Sequence, residues 1–229
     1  NGYNAVSGGS PVFDSGRVGQ SVYFDGTDDV SYLNCQNSSG LHLTTGATVC
    51  AWVKSSGMTD PWASVVTKGV SAWRLIRNNE TNSISFHFNQ AGGGEYQANG
   101  TTPVLDGQWH HIAGVYTGSR IQLYIDGRLE AESSAGPVNT STDPVYIGSR
   151  VNATSTRNWI GNIDDVRIYD IALTEAQILF LAQGQPYQVI PQPTRPADLT
   201  SDGVINLDDL ALFVRQWMAC SDPATPFCL

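Results

Sequence analysis

Positive charge is scarce in this chain of 229 residues: 12 Lys and Arg stand against 21 Asp and Glu, for a formal net charge of −9 at pH 7. That balance excludes a nucleic-acid partner and an anionic membrane surface, because both require a basic patch. Charge of either sign is thin, at 14% of residues. No apolar run approaches the roughly 20 residues of a spanning helix, so no membrane span is expected. No signal peptide is visible and the chain begins at Asn1 without Met, so it reads as a mature or trimmed product of secretion. The nucleophile pattern G-x-S-x-G is missing. His110 and His111 are adjacent, so on a strand they face opposite sides, and His42 and His87 have no Cys or His at ligand spacing. Cysteines number four, in two close pairs that fit the disulfides Cys35–Cys50 and Cys220–Cys228 in an oxidising compartment; buried free thiols are the alternative.

What the chain does have is apolar content (41%), 23 Gly, and acidic residues placed in turns. A core of good size with many turns follows, and the acidic turns suggest calcium as the cofactor. Residues 106–132, DGQWHHIAGVYTGSRIQLYIDGRLEAE, organise the rest. Strands are expected over 109–116, 121–125 and 128–132; Ile121, Leu123 and Ile125 alternate with Gln122 and Tyr124, a period that buries one face. Asp126-Gly127 is the pair that a two-residue hairpin turn prefers, since such turns need positive φ.

Further strands are expected at 21–24, 30–33, 48–54, 63–68, 72–77, 83–89, 145–148 and 165–169. Residues 1–20 read as loop, and 90–99 as a Gly-rich loop carrying Tyr96. About a dozen strands with no βαβ rhythm indicate an all-β, two-sheet antiparallel sandwich. A short helix follows Thr174, with Gln177 three residues on as a capping box, Ile178, Leu179 and Leu181 on one face, and Gly184 as its stop. Five N-x-Ser/Thr sequons, at Asn37, Asn79, Asn99, Asn139 and Asn152, are candidate glycosylation sites.

The composition changes at residue 185. Pro186, Pro191, Pro193 and Pro196 mark a stiff linker over 185–196, which separates residues 1–184 from a small unit, 197–229. In DLTSDGVINLDD, Asp198, Thr200, Asp202, Asn206 and Asp209 fall at the oxygen-ligand positions of a calcium loop; Val204 would add its carbonyl, and Gly203 the sharp turn. The alternative is an acidic N-terminal flank for the helix expected over 208–218, whose apolar side carries Leu210, Phe213, Val214 and Trp217.

The motifs VGQSVYFDGTDD (18–29), TVCAWVK (48–54), DGQWHHIAGVY (106–116), IQLYIDG (121–127) and GNIDDVRIYDIALTEAQI (161–178) resemble, in order, the laminin G-like, concanavalin A-like jelly rolls. The tail resembles half of a type I dockerin, with one loop–helix repeat rather than two and Thr200 where Asn is usual; this pairing resembles secreted surface proteins of planctomycete-type bacteria. The resemblance implies a structural calcium tying the FDG loop to the IDD strand through Asp25, Asp28, Asp164 and Asp165; without it, these are turn and strand-end residues. It also implies that an opening strand of the family is reduced here to Asn1-Gly2, leaving a sheet edge unpaired. Related jelly-roll glucanases carry E-x-D-x-x-E or E-x-D-x-E; Glu130-Ala131-Glu132 lacks the middle Asp and reads as a solvated strand face, so no enzyme is expected.

Glycan or polysaccharide binding then rests on exposed aromatics. Trp52, Trp73 and Trp109 sit in strands and read as core, whereas Trp62, Tyr96 and Trp159 sit in loops and are either ligand-binding or covers of a core edge. The expectation is a secreted, non-catalytic, calcium-stabilised module for carbohydrate binding or adhesion, with a tail for attachment. The alternative is a subunit of an extracellular filament or surface assembly, in which copies of the chain are joined by a donated strand or tail.

Overall fold

The computed structural model describes residues 5–9, 11–26, 31–150 and 157–184. The chain divides into two units, Asn1–Pro186 and Tyr187–Leu229, and the described residues all belong to the first. The expected linker, the calcium loop (Asp198, Thr200, Asp202, Val204, Asn206, Asp209), the Cys220–Cys228 pair, Asp28 and the Asn152 sequon lie outside the described residues.

In chain order the described strands are β1 (Val6–Gly8), β2 (Val12–Ser15), β3 (Gln20–Phe24), β4 (Tyr32–Asn34), β5 (Ala47–Lys54), β6 (Ser64–Lys68), β7 (Trp73–Arg77), β8 (Ile84–Asn89), β9 (Glu95–Asn99), β10 (His110–Tyr116), β11 (Arg120–Ile125), β12 (Arg128–Ser134), β13 (Val145–Ile147) and β14 (Gly161–Tyr169); helix α1 (Glu175–Leu181) follows. They form two antiparallel seven-stranded sheets, β1-β4-β13-β6-β7-β8-β9 and β12-β11-β10-β5-β14-β3-β2. This is the two-sheet jelly-roll sandwich that the strand pattern predicts.

The core follows from alternation. Val49, Ala51 and Val53 of β5, Ile112 of β10 and Ile121, Leu123 and Ile125 of β11 face Trp73, Leu75, Ile84, Phe86 and Phe88 of the other sheet. Each such burial contributes roughly 1.5–3 kcal/mol. Phe88 reaches across to Tyr116, centroid to centroid 5.1 Å. At the 126–127 turn both φ angles are positive, +50° at Asp126 and +80° at Gly127, and Asp126 N donates to His111 O at 2.7 Å. Thr174 caps α1 through the reciprocal pair with Gln177. Of the three residues expected on its apolar face, Ile178 and Leu181 are buried, whereas Leu179 is 47% exposed, because neighbouring helical positions diverge by about 100°.

The structure corrects four other expectations. Residues 1–20 contain β1 and β2, a pair of short strands whose residues are nearly all exposed and so carry little apolar signal. The span 90–99 is a turn through Gly92–Gly94, all at positive φ, followed by β9, in which Tyr96 and Ala98 face inward. The last strand begins at Gly161 rather than at 165 and runs through a bulge between Asp164 and Arg167, where Asp165 has φ +46°. Cys35 and Cys50 are free thiols. Cys50 has the outward parity of β5, while Cys35 packs against the core just after β4 in the opposite sheet, so they do not meet.

Candidate ligand-binding site

Strands β7 and β8 are buried along both faces except at Asn89. Trp73 and Leu75 serve the core, which leaves Arg74 and Ile76 on the outer face. Register then sets Arg74 beside His87, and His87 beside Gln97. This row is covered from above. The connection after β13 is stitched to β6 by Gly148 N to Val65 O (2.9 Å) and Ser64 N to Arg157 O (2.9 Å), and its own two ends are joined by Trp159 N to Gly148 O (2.8 Å). It brings Arg150 and Arg157 over the sheet. Asp60 fixes the other wall, accepting from Trp62 N at 2.9 Å and from Arg157 Nη1 at 3.2 Å. The result is a cavity of about 260 Å³ lined by Trp62, Arg74, Ile76, His87, Glu95, Gln97, Arg150 and Arg157.

The polar groups in it are held in place before any ligand arrives. Glu95 accepts from Arg74 Nη2 and from Gln97 Nε2 (3.2 Å), and lies 3.2 Å from His87 Nδ1; the other ring nitrogen of His87 is 3.0 Å from Ser85 Oγ. The bond with His87 and the Arg74 guanidinium, working against burial, bring the Glu95 carboxyl down to about 2. A carboxylate so saturated is permanently ionised and unsuited to acid–base exchange near neutrality. Burial, and then repulsion from Arg74 and Arg157, lower Arg150, with Asp60 and Glu95 opposing. The Nε–H groups of Arg74, Arg150 and Arg157 are buried without a hydrogen-bond partner among the described residues.

Of the aromatics singled out in the sequence, Trp62 lines this cavity, its ring 6.1 Å from that of His87. Tyr96 does not: it has the inward parity of β9 and packs on the core between the outward-facing Glu95 and Gln97. Trp159 is wholly buried in the core, so it offers no face to a ligand. The pocket's charged residues were not evident from local spacing, since they come from four separate segments, β7, β8, β9 and the connection after β13. The one signal was Arg74 and His87 at the non-core parity of two adjacent apolar strands.

The acidic residues near the 164–165 bulge part company. Asp164 Oδ2 accepts from Val18 N at 2.8 Å. Asp165 turns to Arg167, with Oδ1 to Nε and Oδ2 to Nη2 both at 2.8 Å. Asp25 follows β3, and among the described residues no group of three or more His, Cys, Asp or Glu is placed to hold a metal ion. Glu130 and Glu132 also diverge, because the bulge opposite Leu123 and Tyr124 re-aims Glu130. Glu130 accepts from the backbone N–H and hydroxyl of both Thr101 and Thr102, while Glu132 takes Arg120 and Gln122. The pair is therefore structural rather than a merely solvated face. Among the sequons, Asn37, Asn79 and Asn99 are exposed and Asn139 is half-buried.

Residues 24–179 match the family model of the concanavalin A-like lectin/glucanases superfamily, and the chain belongs to it. Among solved structures it is similar to the binding domain of Paraclostridial Mosquitocidal Protein 1 (TM-score 0.66, 14% identity, covering 79% of this chain and 47% of that one). It is similar as well to domain 4 of AbnA, a GH43 extracellular arabinanase from Geobacillus stearothermophilus, in complex with arabinotriose (0.59, 21%, 77% and 82%). A third is the binding domain of botulinum neurotoxin DC in complex with SialylT (0.62, 15%, 80% and 46%). At these identities the likeness establishes the fold, and the chain spans about half the length of the two toxin binding domains. No curated protein sequence matches it. Two of these structures are binding domains, and the third is a domain of an arabinanase in complex with a sugar.

Proposed function

We propose that the jelly roll is a non-catalytic carbohydrate-binding module of an extracellular protein, and that the cavity on the outer face of β7–β9 is where the sugar sits. The observation that carries this reading is the pairing of one half-buried indole, Trp62, with a row of preset polar groups. A sugar ring offers an apolar face to the indole and hydroxyls to the polar row. That two of the similar structures hold arabinotriose and SialylT supports the reading. On a glycan array run with calcium present, Trp62→Ala should lower affinity about tenfold, equivalent to the ~1.4 kcal/mol of a lost aromatic contact, with little change in melting temperature. A blank array for the wild type would remove the reading. Calcium belongs in the tail loop Asp198–Asp209 on the spacing of its oxygen ligands; chelation that leaves the melting temperature unmoved would discard that metal.

The alternative, assembly with further copies of this chain, draws on β2. It is the edge of its sheet among the described residues, with Val12 58% and Phe13 66% exposed. An apolar, uncovered edge invites strand addition. Electron microscopy of the wild type beside Phe13→Lys decides it: filaments lost in the variant favour assembly, and a wild type that stays monomeric at high concentration excludes it.

A further inference from the structure

Charge in the cavity does not balance. Arg74 pairs with Glu95 and Arg157 with Asp60, while no carboxylate among the described residues lies within ion-pair distance of Arg150. Three guanidiniums thus face two carboxylates, leaving one positive charge in a pocket whose Arg74 is only 5% exposed. Each of the three also keeps a buried Nε–H with no acceptor among the described residues. An unmet N–H on a charged group is unfavourable by more than the ordinary hydrogen-bond penalty, so a further acceptor beside these guanidiniums would be favourable. The chain as a whole carries −9, so its overall field repels anions, and this excess of positive charge is a local construction.

Resting on the carbohydrate reading above, we infer that the pocket selects an acidic sugar: one residue bearing a single carboxylate, such as a hexuronic or sialic acid, its carboxylate at Arg150 and its ring against Trp62. The planar guanidinium fork matches a carboxylate in two parallel bonds, which a neutral hydroxyl cannot reproduce. A cavity of about 260 Å³ lies below the roughly 300–1,000 Å³ of drug-sized sites, which suits one sugar residue rather than an oligosaccharide. Glu95 and Asp60 then have a second role, holding two of the arginines so that only one charge is left for the ligand.

The test uses the full chain on an array of neutral, carboxylated and sulfated glycans, followed by titration calorimetry of the strongest carboxylated hit and its carboxyl methyl ester. Binding should concentrate on carboxylated glycans. The ester should bind about 10- to 100-fold more weakly, since it keeps the ring and loses the charge. Arg150→Gln should lose a similar factor toward the acid and almost nothing toward the ester, and Arg150→Lys should recover part of the loss. Because the ester comparison uses only wild-type protein, a poorly folded variant does not blunt the test. Equal binding of neutral glycans, or of acid and ester, overturns the acidic-sugar inference and leaves the carbohydrate reading standing. Binding confined to sulfated glycans overturns the choice of a carboxylate. A blank array removes both.

Discussion

Gly114 lies in the middle of β10, and its φ is not in the left-handed region, so nothing in the backbone demands glycine there. The reason is space. A Cβ added to it would stand 2.2, 2.3 and 2.5 Å from three ring atoms of Phe86 in the facing sheet, where ordinary contact begins near 3.4 Å. Gly114→Ala therefore requires the fully buried ring to retreat by about 1 Å into a close-packed core. Overpacking of this kind opposes folding by ~1–3 kcal/mol, offset by the ~0.5–1 kcal/mol that a strand gains when Gly becomes Ala. The net expectation is a loss of about 1–2 kcal/mol. Phe86→Leu alone should lose about 1–2 kcal/mol through the cavity it opens. The double variant should be more stable than the sum of the two losses by at least ~1 kcal/mol, because the shortened side chain vacates the space that the new methyl fills. Urea unfolding followed by tryptophan fluorescence reads all three as midpoint shifts at constant slope. Additive losses, or an Ala variant as stable as the wild type, would refute the argument that inter-sheet contact selects this glycine.

Further predictions concern titration, capping and thiols. His110 and His111 should titrate in opposite senses by NMR. Burial drives His111 down to about 4, whereas at His110 the bonds to Asp126 and Asp106 outweigh burial and raise it. His111 therefore removes stability as pH falls from about 6.5 toward 4, by roughly 3 kcal/mol in full, while the contribution of His110 is present below about 6.5 and lost as pH rises through its raised value. A His111 resonance titrating near 6.5 would contradict this. Glu130 is brought down to about 2, chiefly by the Thr101 N–H. Its stabilising contribution should vanish as pH falls from about 4.3 to 2, and Glu130→Gln should lose roughly 1 kcal/mol at pH 7, a loss that shrinks in acid if the carboxylate is the cause. Burial pushes the Cys50 thiol up to about 12 and raises Cys35 as well. Alkylation of the native protein should mark Cys35 slowly and Cys50 only after unfolding, and a non-reducing digest that yields a Cys35–Cys50 crosslinked peptide would overturn the free-thiol assignment.

The fold was legible wherever one face is apolar and the other polar, as in β10, β11 and β8, and wherever a turn has a chemical signature, as at Asp126-Gly127. It was not legible in β1 and β2, which bury almost nothing, nor in β9, whose apolar inward positions are only Tyr96 and Ala98 behind three turn glycines. The site was harder to see for a related reason. Arg74 and His87 lie at the parity that normally meets water, and what buries them is a distant connection carrying Arg150 and Arg157, an arrangement that no local spacing encodes. Trp62 and Trp159 look alike in sequence, each in a polar connection, yet one lines the cavity and the other is sealed in the core.

Strand β14 sits between β5 and β3, pairing with both. Its partners belong to the first quarter of the chain, and it is the last strand before α1. Until residue 169 has left the ribosome, the β2–β3 hairpin has no sheet to join and one edge of β5 stays open. The domain is thus a late closer during synthesis: its contacts are long in sequence, its folding should fall in the slow class of all-β proteins, and chaperone dependence should be greatest while that slot is vacant.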